Sequence, residues 1–584
     1  MRSLSALTVV RARWVLWVAA AVVFAASWAV ASQSYFFADD FLIGKYLIDN
    51  PLDAQALMRT WFGHLMPGYI LADGLFVRLF GLSWPLASVI ISLVNVGAFV
   101  ALVRALDAVI GRIRLNPLIG LAFSLAVGVL ATRLWWAASL NNMLALALSL
   151  AALGSLTRWV TLRRWPHLVG TLTMFAAALA VSEKTLLFSV YAAAWCVFVV
   201  WRGLGVTERA KLFLRAWPAW IGIAALCSID LYIFASGSYI EDSGAAPGFT
   251  DSVVFVLWGI VGGLIPSFFG MDLVALDPGW APAGIIISAL LLGGVIVFSV
   301  VRQRALAGVW IFVALAAILS TSVLSRRSEL IGFDGGRVLR YHLETTALFW
   351  LATGVVVYTL LTARQPVRAA AAPDLPRRLV VIGLMVACIA SAAVWVPSVI
   401  SNLRGHPGIQ ARNWVEQIGK TYPSDQRPPF LDVTVPEFVV FSGLAPYDRA
   451  DAVLPFAFPG STTTDQLEGS WTVDDDGNAG PAVFLPDAHP VVVNRCDTGM
   501  GIDVHETAGA RGEFLVIDFD QAEPGSVYLD VGELTSREVT TTSGRLVVEL
   551  SAALPRGKLH FDSEGRAFCI RSVSVGDIVP APVP

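Results

Sequence analysis

Long apolar runs separated by short polar breaks occupy the chain from Trp14 to Val399, and beyond Ser401 the pattern changes to short alternating stretches. An apolar run of about eighteen or more residues is long enough to cross a bilayer as a helix. Crossings are expected at Trp14–Ser32, Trp84–Leu106, Pro117–Thr132 (a short one) and in a fourth run that stops at Arg158, Arg163 and Arg164. Leu168–Val181 and Thr185–Trp201 follow, almost fused through Ser182-Glu183-Lys184. Then come Trp217–Ala235, Ala283–Val301, Leu306–Leu324, Leu343–Leu361 and Leu379–Val399. Val253–Gly270 is apolar too, but a crossing there would put the later basic residues on the wrong side. With Gly262, Gly263 and Pro266 it reads as a re-entrant or surface-lying element whose freed backbone faces protein or water. The loop Gln33–Ser83 is long and rich in aromatics, which predicts short helices lying in the interface.

After Ser401, runs such as Ser526-Val527-Tyr528-Leu529-Asp530-Val531 and Arg545-Leu546-Val547-Val548-Glu549-Leu550 alternate apolar and polar positions between Gly, Asp and Pro. That pattern predicts a β-sandwich or jelly-roll domain. The fold class expected is therefore a polytopic α-helical membrane protein of about eleven transmembrane helices over residues 1–400, with a β-rich domain over 401–584.

Composition agrees with the pattern. Of 584 residues, 56% are hydrophobic and 15% charged, against roughly 25% charged in soluble domains. Mean hydropathy is +0.67. The net charge of −3 says little; where the charges fall says more. Arg2, Arg11 and Arg13 precede the first span without an acid, so the positive-inside rule puts the N-terminus in the cytoplasm. A signal peptide is the alternative for this stretch, but its length and the spans that follow favour an uncleaved helix. Counting crossings places the C-terminal domain outside a multi-pass plasma-membrane protein. Trp135 and Trp136, after Arg133, suit an interfacial belt. Cys196, Cys227 and Cys388 fall in apolar runs and read as packing residues. Cys496 and Cys569, the two in the outer domain, are expected to pair in an oxidising compartment.

Charge is so scarce that each exception is a candidate for function. Asp39 and Asp40 stand directly after the first span, flanked by Phe36, Phe37 and Phe41. A carboxylate there can take a proton from a hydroxyl, or the pair can simply cap a helix. Asp40 is the candidate to hold a divalent cation (Mg, Mn or Ca), the one cofactor the pattern admits. His64, in Gly63-His64-Leu65-Met66-Pro67-Gly68, could hydrogen-bond a phosphate or an acceptor. No His/Cys spacing suggests zinc. Glu183-Lys184 either fixes a cation for a lipid phosphate or forms a self-neutralising pair at a turn. Arg326, Arg327, Arg337 and Arg340, with Tyr341 and His342, gather on the side that positive-inside statistics keep poor in arginine. The arginine fork suits phosphate oxygens, and Arg340 is the strongest candidate. Anionic lipid headgroups, or salt bridges to Glu329 and Asp334, are the plainer account.

In order and topology, Asp39-Asp40, the structured first loop, Glu183-Lys184 and Arg340-Tyr341 resemble the GT-C superfamily of membrane glycosyltransferases, which use polyprenyl-phosphate sugars. With its β-rich outer domain the chain is similar to actinobacterial cell-wall arabinofuranosyltransferases. The resemblance implies Asp39 as catalytic base with Asp40 as partner, and Lys184 and Arg340 as holders of the lipid phosphate. It also implies a carbohydrate-binding-module-like outer domain, with Trp471 and Tyr528 as stacking candidates. The implied partners are a polyprenyl-phosphate sugar donor, a glycan or lipid acceptor and the bilayer, with no nucleic acid. A transporter or flippase of a lipid-linked saccharide, and a non-catalytic envelope assembly protein, are the rival readings. No paired halves support the first of these.

Overall fold

The structure, a computed structural model, describes residues 2–61, 63–236, 248–273, 281–326, 328, 333–362, 399–400, 403–423, 427–441, 448–486, 491–497, 502–504, 514–531, 534–549, 559–562 and 568–581. The loop 364–378 with its alanine tract, Cys388, Arg327, Glu329 and all but the last residue of the expected span 379–399 lie outside them. The chain forms two compact units, Met1–Tyr35 with Leu47–Ile409, and Phe36–Tyr46 with Gln410–Pro584.

The first unit is helical. Nine of its described helices are long and apolar enough to cross a membrane: Trp14–Ala31, Trp84–Ile110, Trp136–Leu162, Glu183–Val200, Trp217–Ser236, Phe249–Phe268, Ala281–Arg302, Leu306–Ser325 and Leu339–Thr362. A tenth is made if Leu115–Ser124 and Val127–Leu134, bent by 64°, count as one span, and Trp165–Val181 is a shorter apolar helix. Pro85 opens the Trp84–Ile110 helix, where a missing N–H costs nothing, and Gly111 closes it at φ 79°, donating to Asp107 O. Small residues let these helices approach closely. A Cβ on Gly154 would stand 3.3 Å from Ala105 Cα. Larger side chains fill the middle, where Trp195 meets Phe312 edge-on at 5.5 Å and donates its indole N–H to Thr157.

The loop after the first span folds into the helices Asp39–Asp49, Ala54–Met58 and Pro67–Phe80. Asp53 caps the second, its Oδ1 accepting from Ala56 N at 2.9 Å. The third helix is tied down by the Trp136 indole, which donates to Asp73 at 2.7 Å.

Two expectations need correction here. Trp136 is buried rather than part of an interfacial belt, held by Asp73 and by Phe76 at 4.4 Å between ring centres. Arg133 is also buried, and does not mark an emergence at the surface. The bend frees backbone carbonyls that a continuous helix would bond. Arg133 supplies the donor, bonding Ser124 O at the bend and Asn95 Oδ1 at 3.4 Å.

Phe249–Phe268 is long enough to cross, yet its contacts return to one end of the neighbouring helices. A Cβ on Gly259 would meet Gly336 O at 2.7 Å, and one on Gly263 would meet Arg337 Cα at 2.9 Å. Phe268 reaches further along and stacks on Phe349 at 3.7 Å. The chain then comes back, and Leu273 O accepts from Arg337 at 3.0 Å. The middle of this helix, at Gly259 and Gly263, and the chain after it, at Leu273, thus both meet Gly336–Arg337, while at 20 residues the helix itself is a candidate full span. A π-helical stretch, Gly259–Leu264, lets the helix pass so close to the backbone there.

The C-terminal unit carries ten described strands: β1 Phe430–Leu431, β2 Thr463–Thr464, β3 Trp471–Val473, β4 Ala479–Pro486, β5 Val491–Asp497, β6 Ile502–Val504, β7 Phe514–Val531, β8 Leu534–Glu549, β9 Leu559–Asp562 and β10 Phe568–Pro580. Their hydrogen-bonded order is β2-β1-β3-β4-β10-β7-β9-β6, with β5 also on β10 and β8 on β7. Leu431, Leu467, Phe514, Val516 and Val547 form a core. Cys569 on β10 faces Cys496 on β5, and the two are disulfide-bonded. The amphipathic helix Pro407–Thr421 buries Ala411, Trp414 and Ile418. Sequence alternation places the domain boundary at 400/401. The contacts place it at Ile409, and they move Phe36–Tyr46 into this unit as well.

Candidate functional site

The carboxylate pair opens the helix Asp39–Asp49, and acids in a first turn suit the positive end of its dipole. Ala38, just before it, sits in the left-handed region at φ 54°. Asp40 is 2% exposed, and its Oδ2 accepts from Phe37 N at 3.2 Å. Reaching back three residues in this way is how a capping box ends a helix. Asp39 is only partly buried. The two acids therefore differ: one is tied into the fold, and its neighbour is the accessible carboxylate. Phe36, Phe37 and Phe41 are buried around them.

A second group of candidates meets inside the helical unit. His64 ends a tight turn in which Trp61 and His64 exchange backbone hydrogen bonds at 2.9 and 2.8 Å. Gly63, at φ 70°, supplies the conformation that the turn requires. Four residues on, Gly68 lies against the end of the Trp165–Val181 helix, where a Cβ would meet Ala180 O at 2.9 Å. That close approach brings His64 to Glu183, and its Nδ1 pairs with Glu183 Oε1. Glu183 is therefore hydrogen-bonded to the imidazole, with the Lys184 charge also acting on it. Lys184 turns instead to Asn142 Oδ1, 3.2 Å away, and to the face of Tyr341, 5.7 Å from its centre.

Arg340 completes the group. Its guanidinium lies over Trp135 at 4.6 Å and over Tyr341 at 4.9 Å, and donates to the Tyr341 hydroxyl at 3.1 Å. Its Nε–H is buried with no acceptor among the described residues. Neither Arg340 nor Lys184 forms a salt bridge with a described residue. Both cations thus lie against aromatic faces; Lys184 also has the charges of Glu183 and Glu344 nearby, while the buried Arg340 Nε–H has no acceptor among the described residues and calls for one.

The remaining basic candidates do other work. Arg337 donates to Leu273 O at 3.0 Å and Asp334 at 3.3 Å, with its guanidinium over Trp258 at 5.1 Å. It pins the chain at Leu273. His342 is buried, its Nε2 bonded to Gly336 O at 2.7 Å. Arg326 is exposed at the end of the Leu306–Ser325 helix. Trp471 is half-buried and edge-on to Tyr422 at 6.0 Å, and Tyr528 lies in β7.

Sequence reasoning missed Trp135 as a cation platform, Asn142 as the Lys184 acceptor, and His406. The His406 Nδ1 accepts from Gly408 N at 3.2 Å, so that nitrogen is unprotonated. Burial, and then the charge of Arg340, pushes His406 down to about 4. His-Pro-Gly after a span was the one available signal, and it is a weak one.

No three His, Cys, Asp or Glu side chains gather as a metal-ligand set among the described residues. With Asp40 already bonded to Phe37 N, a protein-only cation cage does not fit.

No protein-family model and no curated protein matches the chain. Among solved structures it is similar to ArnT from Cupriavidus metallidurans in the apo state, at TM-score 0.39 and 14% identity over 78% of this chain and 85% of that one. It is also similar to that protein bound to undecaprenyl phosphate, at TM-score 0.32 and 12% identity over 79% and 86%. Likeness of this degree assigns neither a substrate nor a residue role.

Proposed function

We propose that the chain is a membrane glycosyltransferase of the GT-C type. It moves a sugar, with arabinofuranose the first candidate, from a polyprenyl-phosphate donor to a hydroxyl of a cell-envelope glycan or lipid. The observation that carries this reading is the Arg340–Lys184 pair. It is two cations fixed by Trp135, Tyr341 and Asn142, with a buried guanidinium N–H that has no acceptor among the described residues. A lipid phosphate supplies the missing anion.

In the reaction, the acceptor oxygen attacks the anomeric carbon while Asp39 takes the hydroxyl proton. The bond between that carbon and the phosphate oxygen breaks, and its electron pair leaves with the polyprenyl phosphate. Arg340 and Lys184 stabilise the charge as it develops, the largest single contribution in many transferases. One displacement inverts the anomeric configuration. Asp40 shapes the helix start that carries Asp39, and His64 holds Glu183 beside Lys184. The C-terminal unit would bind glycan, outside a membrane whose inner side holds the N-terminus. A divalent cation, if used, would bind through carboxylate and phosphate together in the manner of Mg, and no step above needs it.

The test is transfer from a synthetic polyprenyl-phosphate sugar to a glycan acceptor by detergent-solubilised protein. Asp39→Asn should lower kcat by about 10²–10⁴, the usual range for a general base. Undiminished transfer by Asp39→Asn would falsify the assignment of the base. Product formed without vesicles excludes pure transport, and no product from any such donor favours the assembly reading.

A further inference from the structure

The acids after the first span belong to the compact unit of the C-terminal domain. The backbone N–H of Ala38 donates to Val439 O at 2.6 Å. Seven residues further on, about two helical turns, Lys45 faces Asp451 at 3.9 Å. The segments that carry Val439 and Asp451 are joined to each other, Val435 N bonding Asp448 O and Ala450 N bonding Val433 O, both at 2.8 Å. Arg449 locks that junction through Asp432 Oδ2 at 2.9 Å, and the other Asp432 oxygen accepts from Asp451 N at 3.1 Å.

Ala38 is what makes these contacts informative. Its φ of 54° is one that residues with a Cβ rarely adopt. Such a conformation persists when its surroundings over-determine it, and it concentrates at functional positions. Here the surroundings are Val439 on one side and, on the other, the turn closed by Asp40. The strained residue sits immediately before Asp39, so its φ and ψ set the direction in which that carboxylate leaves the backbone.

We propose that the segments 432–441 and 448–451 form a positioning clamp for the Asp39 carboxylate. The clamp holds Ala38 left-handed through Val439 O and anchors the same helix through the Lys45–Asp451 ion pair. On this account, chain about four hundred residues further along the sequence governs the base. The proposal rests on the glycosyltransferase reading only in calling Asp39 the base.

The experiment uses the full-length protein in nanodiscs, with two readouts. Hydrogen exchange over residues 36–46 reports the clamp whether or not the enzyme is assayed, and transfer kinetics report the base. Asp451→Asn and Lys45→Met should each speed exchange of the Ala38 amide and lower kcat about two- to fivefold, the scale of a half-exposed ion pair, with donor KM unchanged. The reversed pair, Lys45→Asp with Asp451→Lys, should restore both. Ala38→Val, which a β-branched side chain makes incompatible with positive φ, should lower kcat more than tenfold. Ala38→Gly placed in the Asp451→Asn background should recover most of the lost kcat, because glycine takes positive φ without steric cost. A merely structural tie gives no such rescue.

Unchanged exchange in both single variants overturns the clamp. Faster exchange with kcat unmoved overturns its role in positioning Asp39. Faster exchange in a protein whose wild type transfers nothing keeps the tether and overturns instead the reading of Asp39 as a base.

Discussion

Arg340→Lys keeps the charge and removes the shape, and the structure says what that change costs. The guanidinium lies between two rings at 4.6 and 4.9 Å and uses one N–H on Tyr341. A stacked, partly desolvated cation–π contact contributes about 0.5–2 kcal/mol. An ammonium on a flexible stem cannot lie flat against both rings or offer a forked pair of donors. Losing one such contact and the second donor to phosphate comes to about 2–4 kcal/mol of transition-state stabilisation. At about 1.4 kcal/mol per factor of ten, kcat should fall roughly 30- to 1,000-fold. Arg340→Gln, which also loses the charge, should fall at least as far. The assay is single-turnover transfer from a radiolabelled polyprenyl-phosphate sugar, with binding of the free polyprenyl phosphate measured alongside. A general loss of fold would lower thermal stability in both variants, so the melting temperature is recorded as a control. If Arg340→Lys transfers within threefold of wild type, stacking does not orient the phosphate binder and the argument from Trp135 and Tyr341 fails.

Three further outcomes are expected. Asp40→Asn keeps an oxygen for Phe37 N and should stay stable, while Asp40→Ala loses it and should cost about 1 kcal/mol, read from chemical denaturation of the solubilised protein. Since His406 lies at about 4 when folded and near 6.5 when unfolded, the unfolded chain binds more protons between those values. Stability should therefore be complete above about pH 6.5 and decline as pH falls toward 4, and a melting-temperature series should lose that slope in His406→Gln. Replacing Cys496 and Cys569 together by Ala opens a loop with a sequence separation of 73. By loop entropy this should cost the sheet unit about 4 kcal/mol, read as earlier unfolding of that unit under non-reducing conditions.

The helices were legible because a bilayer demands long apolar runs, and each run with described coordinates is a helix near its expected place. Charge placement reads Val253–Gly270 as re-entrant, whereas Phe249–Phe268 is a helix long and apolar enough to cross, because counting charges at span ends says nothing of a segment's length. Two other errors share one cause. Arg133 and Trp136 look like surface residues because they are large and polar at one end. Each is buried against acceptors outside its own helix, Arg133 on Ser124 O at the helix break and on Asn95 Oδ1, Trp136 on Asp73. Hydropathy sums over a window, and it cannot see one hydrogen bond that makes burial tolerable. Ala38 meeting Val439 is the same problem at greater range, since nothing near either residue signals the other.

Arg337 and Arg340 show why residue type did not settle the site. They stand three positions apart, and in sequence they carry the same chemistry and the same unexpected side of the membrane. The 3-10 turn Leu339–His342 and the Gly335-Gly336 step before it give them different surroundings. Arg337 meets a returning backbone carbonyl and an acid, although its Nε–H, like that of Arg340, is buried with no acceptor among the described residues. Arg340 meets two ring faces and a hydroxyl, which hold a guanidinium in place and leave its charge uncompensated among the described residues. Aromatic faces orient a cation without neutralising it, and a carboxylate does the reverse. A site built to grip a departing phosphate needs the first arrangement, because a cation already paired with an acid would have to break that pair as the phosphate charge grew.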